Sequence, residues 1–233
     1  MWKRHGISVF LACAVVLSSV AVLLPDEALA ATESEIEDSI EDGVAYLVSQ
    51  QSGDGSWKTS RYVGTTGLAL AVLGHHAESL GKDPLDLGYA YSSNYEDGLD
   101  YIFSPTSSTP IRRNAPDGRV WWGGASESDS DNYVMGPAMM GIIMSGTPDR
   151  VVDVSGSAVD GMTYRQVIEE AVNFCDYSQI KSGYGIGSWD YTGLNTNGDQ
   201  SIAGWVTLGL GYAATRFDVS IPQDVLDKLD QGI

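Results

Sequence analysis

The stretch Asp42–Trp57 reads as one local unit: the end of a helix carrying the aromatic–aliphatic pair Tyr46-Leu47, then Gln51, then a glycine-rich turn, Gly53-Asp54-Gly55, closed by Trp57. Its parts return twice. A small residue followed by an aromatic–aliphatic pair recurs as Gly98…Tyr101-Ile102 and as Ala171…Phe174-Cys175, and the tryptophan recurs as Trp122 and Trp189, at intervals of 65 and 67 residues. After each tryptophan comes an apolar segment anchored on Gly67, Gly136 or Gly204, again at near-equal intervals of 69 and 68 residues. Self-similarity at a steady period marks supersecondary units that bury their apolar faces against one another. Three corners therefore join three helix pairs, and the expected fold class is all-α.

Local signals place the helices. Ser34-Glu35-Ile36-Glu37 has the form of a capping box, and Ile36, Ile40, Val44 and Leu47 follow at helical spacing, which predicts an outer helix with one buried side. Gly67-Leu68-Ala69-Leu70-Ala71-Val72-Leu73 is apolar nearly all round, as expected of an inner helix covered on most sides. Gly81 and Pro84 stop it; Asn94 and Asp97 suit the start of the second outer helix, which ends before Pro105. The segment from Ser104 to Asp131, rich in Ser, Pro, Gly and Asp, is the longest expected loop. Pro137 leaves two readings of the second inner helix: Asp131 caps it and it runs through Pro137, or it begins near Pro137. Thr163-Tyr164-Arg165-Gln166 opens the third pair as a second capping box, its inner helix spans about 201–215, and Ser220-Ile221-Pro222-Gln223 starts a fourth outer helix.

The first corner fits the spacing of the QW motif of squalene-hopene and oxidosqualene cyclases, through Gly43, Tyr46-Leu47, Gln51, Gly55 and Trp57, with Asp42 where the motif opens on a basic residue. The third corner keeps Ala171, Phe174 and Gln179, with four extra residues before Gly187-Ser188-Trp189. The second keeps Gly98, Tyr101 and Ile102, has Thr106 at the Gln position, and carries a long insertion before Trp121-Trp122. From about residue 36 onward the chain thus resembles the prenyltransferase and squalene-oxidase repeat family. The resemblance implies a partial α/α toroid of about three helix pairs and the start of a fourth, with repeats near 34–81, 94–146, 163–216 and 220–233. It also implies a structural role for the corner residues Gln51, Gly55, Trp57, Trp122, Gln179 and Trp189. Resemblance in fold does not carry an activity with it.

Residues 1–30 read as a secretory signal: Lys3, Arg4 and His5, then an apolar run from Ile7 to Leu24, then Ala28-Leu29-Ala30 for cleavage. The rival reading is an uncleaved anchor. Either way the domain at 31–233 is expected to be secreted or at the cell surface, with no further segment apolar for long enough to enter a membrane. Its charge of −18 disfavours nucleic acid as a partner. Cys175 stands alone outside the leader, so no intrachain disulfide is expected, and it reads as a small buried apolar residue.

Candidate chemistry centres on Asp129-Ser130-Asp131-Asn132, because the squalene-hopene cyclases protonate their substrate from an Asp-X-Asp-Asp motif; Asp131 and Asp129 are the catalytic candidates on that resemblance alone. Protonating an alkene needs a desolvated acid whose neighbours favour its proton. Asn132 replaces one acid, the inner segments supply only Tyr133, Trp205 and Tyr212 as aromatics, and Asp131 and Asp199 both fall where an N-cap belongs. No metal and no cofactor is expected: His75 and His76 lie far in sequence from Cys175, and the alternating Glu127, Asp129, Asp131 and Asn195, Asn197, Asp199 lack a complete calcium loop. The expected function is an exported, non-catalytic binding or scaffold module with an unknown ligand or surface partner, self-associating through its terminal helix pairs. The alternatives are a terpenoid cyclase, or a carbohydrate-active enzyme using Asp190 and Asp199.

Overall fold

The computed structural model describes residues 31–58 and 61–232; the leader and both readings of its fate lie outside the described residues. Two compact units divide the chain, 1–42 and 43–233, with the boundary inside the first helix, α1 (Glu33–Ser49). That helix opens one turn-half earlier than the Ser34 reading. The reciprocal capping bonds run between Thr32 and Glu35: the Thr32 N–H donates to Glu35 Oε2 at 2.7 Å and the Glu35 N–H to Thr32 Oγ1 at 3.3 Å. Two overlapping capping signatures compete here, and the earlier one adds length to the helix. The buried stripe is also shorter than expected, since Ile36 and Ile40 are 50% and 52% exposed while Val44 is buried.

The second unit is mostly helical. Its helices are α2 (Tyr62–Ser79), α3 (Ser92–Phe103), α4 (Asn132–Ile143), α5 (Tyr164–Ser178), α6 (Gln200–Arg216) and α7 (Gln223–Gly232). The all-α expectation needs one correction, because the long loop contains an antiparallel hairpin, β1 (Ile111–Asn114) and β2 (Arg119–Trp122), in the register Ile111↔Trp122 to Asn114↔Arg119. Gly118, at φ +62°, closes the turn in the left-handed region. The hairpin persists because α5 supplies its other face: Trp121 stacks on Phe174 at 5.8 Å, Arg113 pairs with Glu170 at 2.6 Å, and Asn173 donates to the Gly118 carbonyl at 2.9 Å. A two-stranded ribbon without such cover is marginal in water.

The three inner helices lie side by side with α4 between α2 and α6. They approach through glycine: a Cβ on Gly67 would stand 2.1 Å from the Pro137 carbonyl oxygen, and one on Gly136 would stand 1.8 Å from that of Trp205. Asp131 caps α4, its carboxylate accepting the Tyr133 N–H at 3.2 Å, so the helix runs through Pro137. The Thr163–Gln166 box forms as read, and Gly81, at φ +66°, ends α2 with its N–H on the Glu78 carbonyl and that of Lys82 on Ala77.

Each corner tryptophan closes on one atom. The indole N–H of Trp57 donates to the Leu47 carbonyl at 2.7 Å, that of Trp122 to Ile102 at 3.0 Å, and that of Trp189 to Cys175 at 2.8 Å. In all three the acceptor is the second member of the aromatic–aliphatic pair, a carbonyl in the last turn of an outer helix, where the helix's own hydrogen-bond ladder is running out. Gln51 then donates to the carbonyls of Gly55 and Asn94, both at 2.9 Å, and Gln179 to those of Gly187 and Val225, at 3.0 and 3.1 Å. The second corner, which has Thr106 instead of Gln, reaches its next outer helix through the hairpin's bonds to α5.

Candidate functional site

The residues just before and at the start of α2 and α4 meet those near the start of α6 in an open cleft of about 380 Å3. Its walls include Arg61, Leu68, Tyr133, Pro137, Tyr191 and Trp205. Tyr133 and Tyr191 lie with ring planes 5° apart and centroids 6.2 Å apart, and Trp205 leans on Tyr133 at 6.1 Å. The Arg61 guanidinium sits 4.8 Å from the Tyr133 centroid and 5.7 Å from that of Tyr191, within cation–π range of both.

Arg61 also forms an ion pair with Asp131. Burial raises the Asp131 carboxyl above its ordinary value, while Arg61 and the Tyr133 N–H act in the opposite sense. A guanidinium and an N–H donor are neighbours that favour the charged form, so Asp131 has the surroundings of a helix cap and ion-pair partner. Asp129 takes no part in the cleft. It is exposed, and accepts a hydrogen bond from Ser126 Oγ at 2.7 Å.

Asn132 has a definite task. It is 1% exposed; its amide donates to the Asp190 carbonyl at 2.9 Å, its Oδ1 accepts from Ser130 Oγ at 3.1 Å, and its backbone N–H donates to the Tyr191 carbonyl at 2.9 Å. Ser130 Oγ in turn accepts the Gly193 N–H at 2.8 Å. These bonds fasten the 190–193 segment to the start of α4 and so lay Tyr191 over Tyr133. An acid at position 132 would lose the amide donor that the Asp190 carbonyl uses.

The two carboxylates considered for sugar chemistry are engaged locally. Asp199 caps α6, accepting from Ser201 and Ile202 N–H groups at 2.8 and 3.1 Å. Asp190 is 8% exposed, with Oδ1 on the Tyr191 N–H at 2.6 Å and Oδ2 without a hydrogen-bond partner. At the far ends of the inner helices, His75 Nε2 meets the Tyr212 hydroxyl at 2.8 Å and Arg216 pairs with Glu78, joining α2 to α6. Arg216 holds the Glu78 carboxyl below its ordinary value. Cys175 is buried and its thiol is pushed up to about 12 by burial. Among the described residues no three His, Cys, Asp or Glu side chains stand together as metal ligands.

Sequence reasoning picked out Tyr133 and Trp205 as inner aromatics but missed Arg61 and the part played by Tyr191. Arg61 carried no motif; the only available signal was a lone cation immediately ahead of an apolar helix in a chain with 13 Lys and Arg against 31 Asp and Glu. Comparison with known protein families, with curated proteins and with solved structures gives no match. Among the described residues no helix is long and apolar enough to cross a membrane.

Proposed function

We propose that this is an exported, non-catalytic binding module of the α/α-toroid type, related to the prenyltransferase and squalene-oxidase repeats and acting at or beyond the cell surface. The support for the toroid reading is the recurrence of one bond, from each corner tryptophan to the same carbonyl of the preceding outer helix. The support for binding without catalysis is the Arg61–Asp131 pair beneath the stacked tyrosines. It gives the cleft a fixed polar floor in which Asp131 is engaged as the ion-pair partner of Arg61 and as the cap of α4.

The ligand class that suits such a site is neutral, with flat apolar faces for Tyr191 and Trp205 and hydroxyl edges for a guanidinium and a carboxylate, which is the chemistry of a saccharide. Titration of neutral oligosaccharides, followed by calorimetry and tryptophan fluorescence, is expected to show saturable binding that Tyr191→Ala and Trp205→Ala each weaken, with the sugar recovered unaltered. Conversion of squalene to a cyclised product, lost in Asp131→Asn, would replace this reading with the cyclase alternative. Cleavage of the oligosaccharide would replace it with the glycosidase one.

A further inference from the structure

Among the described residues that line the cleft, Arg61 alone carries a positive charge. Its guanidinium lies 4.8 Å from the Tyr133 centroid and 5.7 Å from that of Tyr191, and it pairs with the Asp131 carboxylate. Two ring faces and a carboxylate around one point are the surroundings that hold a guanidinium or a small ammonium ion. The cleft therefore contains a built cation seat, and the chain fills it with its own side chain.

The walls of that seat are held by bonds in which Arg61 has no part. Asp131 is fixed as the cap of α4, accepting the Tyr133 N–H at 3.2 Å, and Tyr133 stands in the first turn of the same helix. Tyr191 is held because its carbonyl accepts the Asn132 N–H at 2.9 Å and the neighbouring Asp190 carbonyl accepts the Asn132 amide, also at 2.9 Å. Arg61 is anchored separately, just ahead of α2, where its carbonyl accepts the N–H and the hydroxyl of Thr65 at 2.9 and 3.0 Å. Its side chain thus enters a seat assembled by α4 and the 190–193 segment. Taking the guanidinium away leaves that seat standing.

The charge of the chain gives this arrangement a consequence. With 13 Lys and Arg against 31 Asp and Glu, the field around the protein draws cations, and a bare carboxylate beside two tyrosine faces would collect them. With Arg61 in place, an incoming cation meets a like charge at the seat. A hydroxyl oxygen meets a donor there instead. We infer that Arg61 is the specificity-determining residue of the cleft: it fills the cation seat formed by Asp131, Tyr133 and Tyr191, so that the cleft takes uncharged sugars and rejects their amino-bearing counterparts. The choice between sugars rests on the saccharide reading above, whereas the filled seat does not.

Methylguanidinium chloride probes the seat directly, followed by tryptophan fluorescence and calorimetry against sodium chloride at equal ionic strength. Wild type is expected to show no saturable binding. Arg61→Ala is expected to bind in the millimolar range, at least about tenfold more weakly once Asp131→Asn or Tyr191→Ala is added. Ligand choice is read with a neutral oligosaccharide and the same sugar carrying one amino group. Wild type should favour the neutral sugar at least about tenfold, Arg61→Lys should keep that preference, and Arg61→Ala and Arg61→Gln should lose it. Thermal melts establish that each variant is folded, and Arg61→Gln, which retains a long polar side chain, serves if Arg61→Ala is not. Saturable binding of methylguanidinium to wild type, or none to folded Arg61→Ala, overturns the filled seat. The same sugar preference in wild type and Arg61→Gln overturns the role in selection. Absence of any oligosaccharide binding by wild type sinks the saccharide reading and the choice between sugars with it, while the methylguanidinium result still decides the place of Arg61.

Discussion

Gln179, 3% exposed, donates its side-chain amide to the carbonyl of Val225, 46 residues further along the chain. The same amide nitrogen donates to Gly187, so one side chain ties the end of α5, the corner turn and the start of α7. Gln51 does the same for α1, its turn and α3 from a partly exposed position. Truncating the buried member takes one donor away from each of two carbonyls in a buried place, whereas water reaches the exposed one. Gln179→Ala is expected to cost about 1–3 kcal/mol and Gln51→Ala about 1 kcal/mol or less, measured by urea denaturation. Equal costs would mean that burial does not set the value of the clamp.

Trp57 is 3% exposed and fills the first corner. Trp57→Ala is expected to lose about 3–5 kcal/mol, as for other large aromatics removed from a core. Asp131→Asn keeps a capping acceptor and exchanges an ion pair for a neutral contact in a half-buried place, so about 1 kcal/mol or less is expected. The reverse order in a denaturant melt would place Trp57 outside the core.

The glycines give a paired test. Gly67→Ala drives a methyl into the Pro137 carbonyl at 2.1 Å, and forcing α2 and α4 apart is expected to cost about 1–3 kcal/mol or more. Gly204→Ala meets nothing and removes backbone freedom from the unfolded chain, so a gain of roughly 0.5–1 kcal/mol is expected. Thermal melts of both variants decide it; a destabilised Gly204→Ala would show that the α6 face is already occupied.

Acid acts on the strap between α2 and α6. Arg216 lowers the Glu78 carboxyl from its ordinary value of 4.5, so the stabilisation is fully present above that value and is lost as pH falls through the lowered one. Both groups are more than a third exposed, at 34% and 44%, which limits the effect to about 0.2–1 kcal/mol. Glu78→Gln should therefore be less stable than wild type at pH 7, with the difference shrinking as pH falls below 4.5 and through the lowered value. Asp131 carries the opposite sign: its raised carboxyl favours the folded state progressively as pH falls through its folded value.

Cys175, with its thiol pushed up to about 12, has almost no thiolate at neutral pH and no path to solvent. Iodoacetamide at pH 8 is expected to leave it unmodified in the folded protein and to alkylate it after denaturation, with the adduct mapped to Cys175 by mass spectrometry. Rapid labelling of the native protein would remove it from the core.

How far the chain could be read in advance depends on the range of the interactions concerned. Capping boxes, the Gly81 stop and the aromatic–aliphatic pairs are set by residues within about one or two helical turns, so their spacing in sequence is already their spacing in space. Even there, overlapping signals at Thr32 and Ser34 could be separated only by the helix itself. The hairpin at 111–122 escaped because four-residue strands carry little pattern, and only Trp121, Arg113 and Gly118 meeting α5 make them hold.

The cleft escaped for the same reason at longer range. Arg61, Asp131, Tyr133, Tyr191 and Trp205 come from three separate parts of the chain, and none announces the others. By itself the sequence determined the Thr163 capping box, the Gly81 stop and which corners recur, because short-range sterics and hydrogen bonds decide those. Only tertiary structure decided that Asn132 holds Tyr191 over Tyr133, that Arg61 occupies Asp131, and that Gly67 is covered while Gly204 is bare. Each of these depends on what another helix brings to within a few ångströms, which local spacing does not encode.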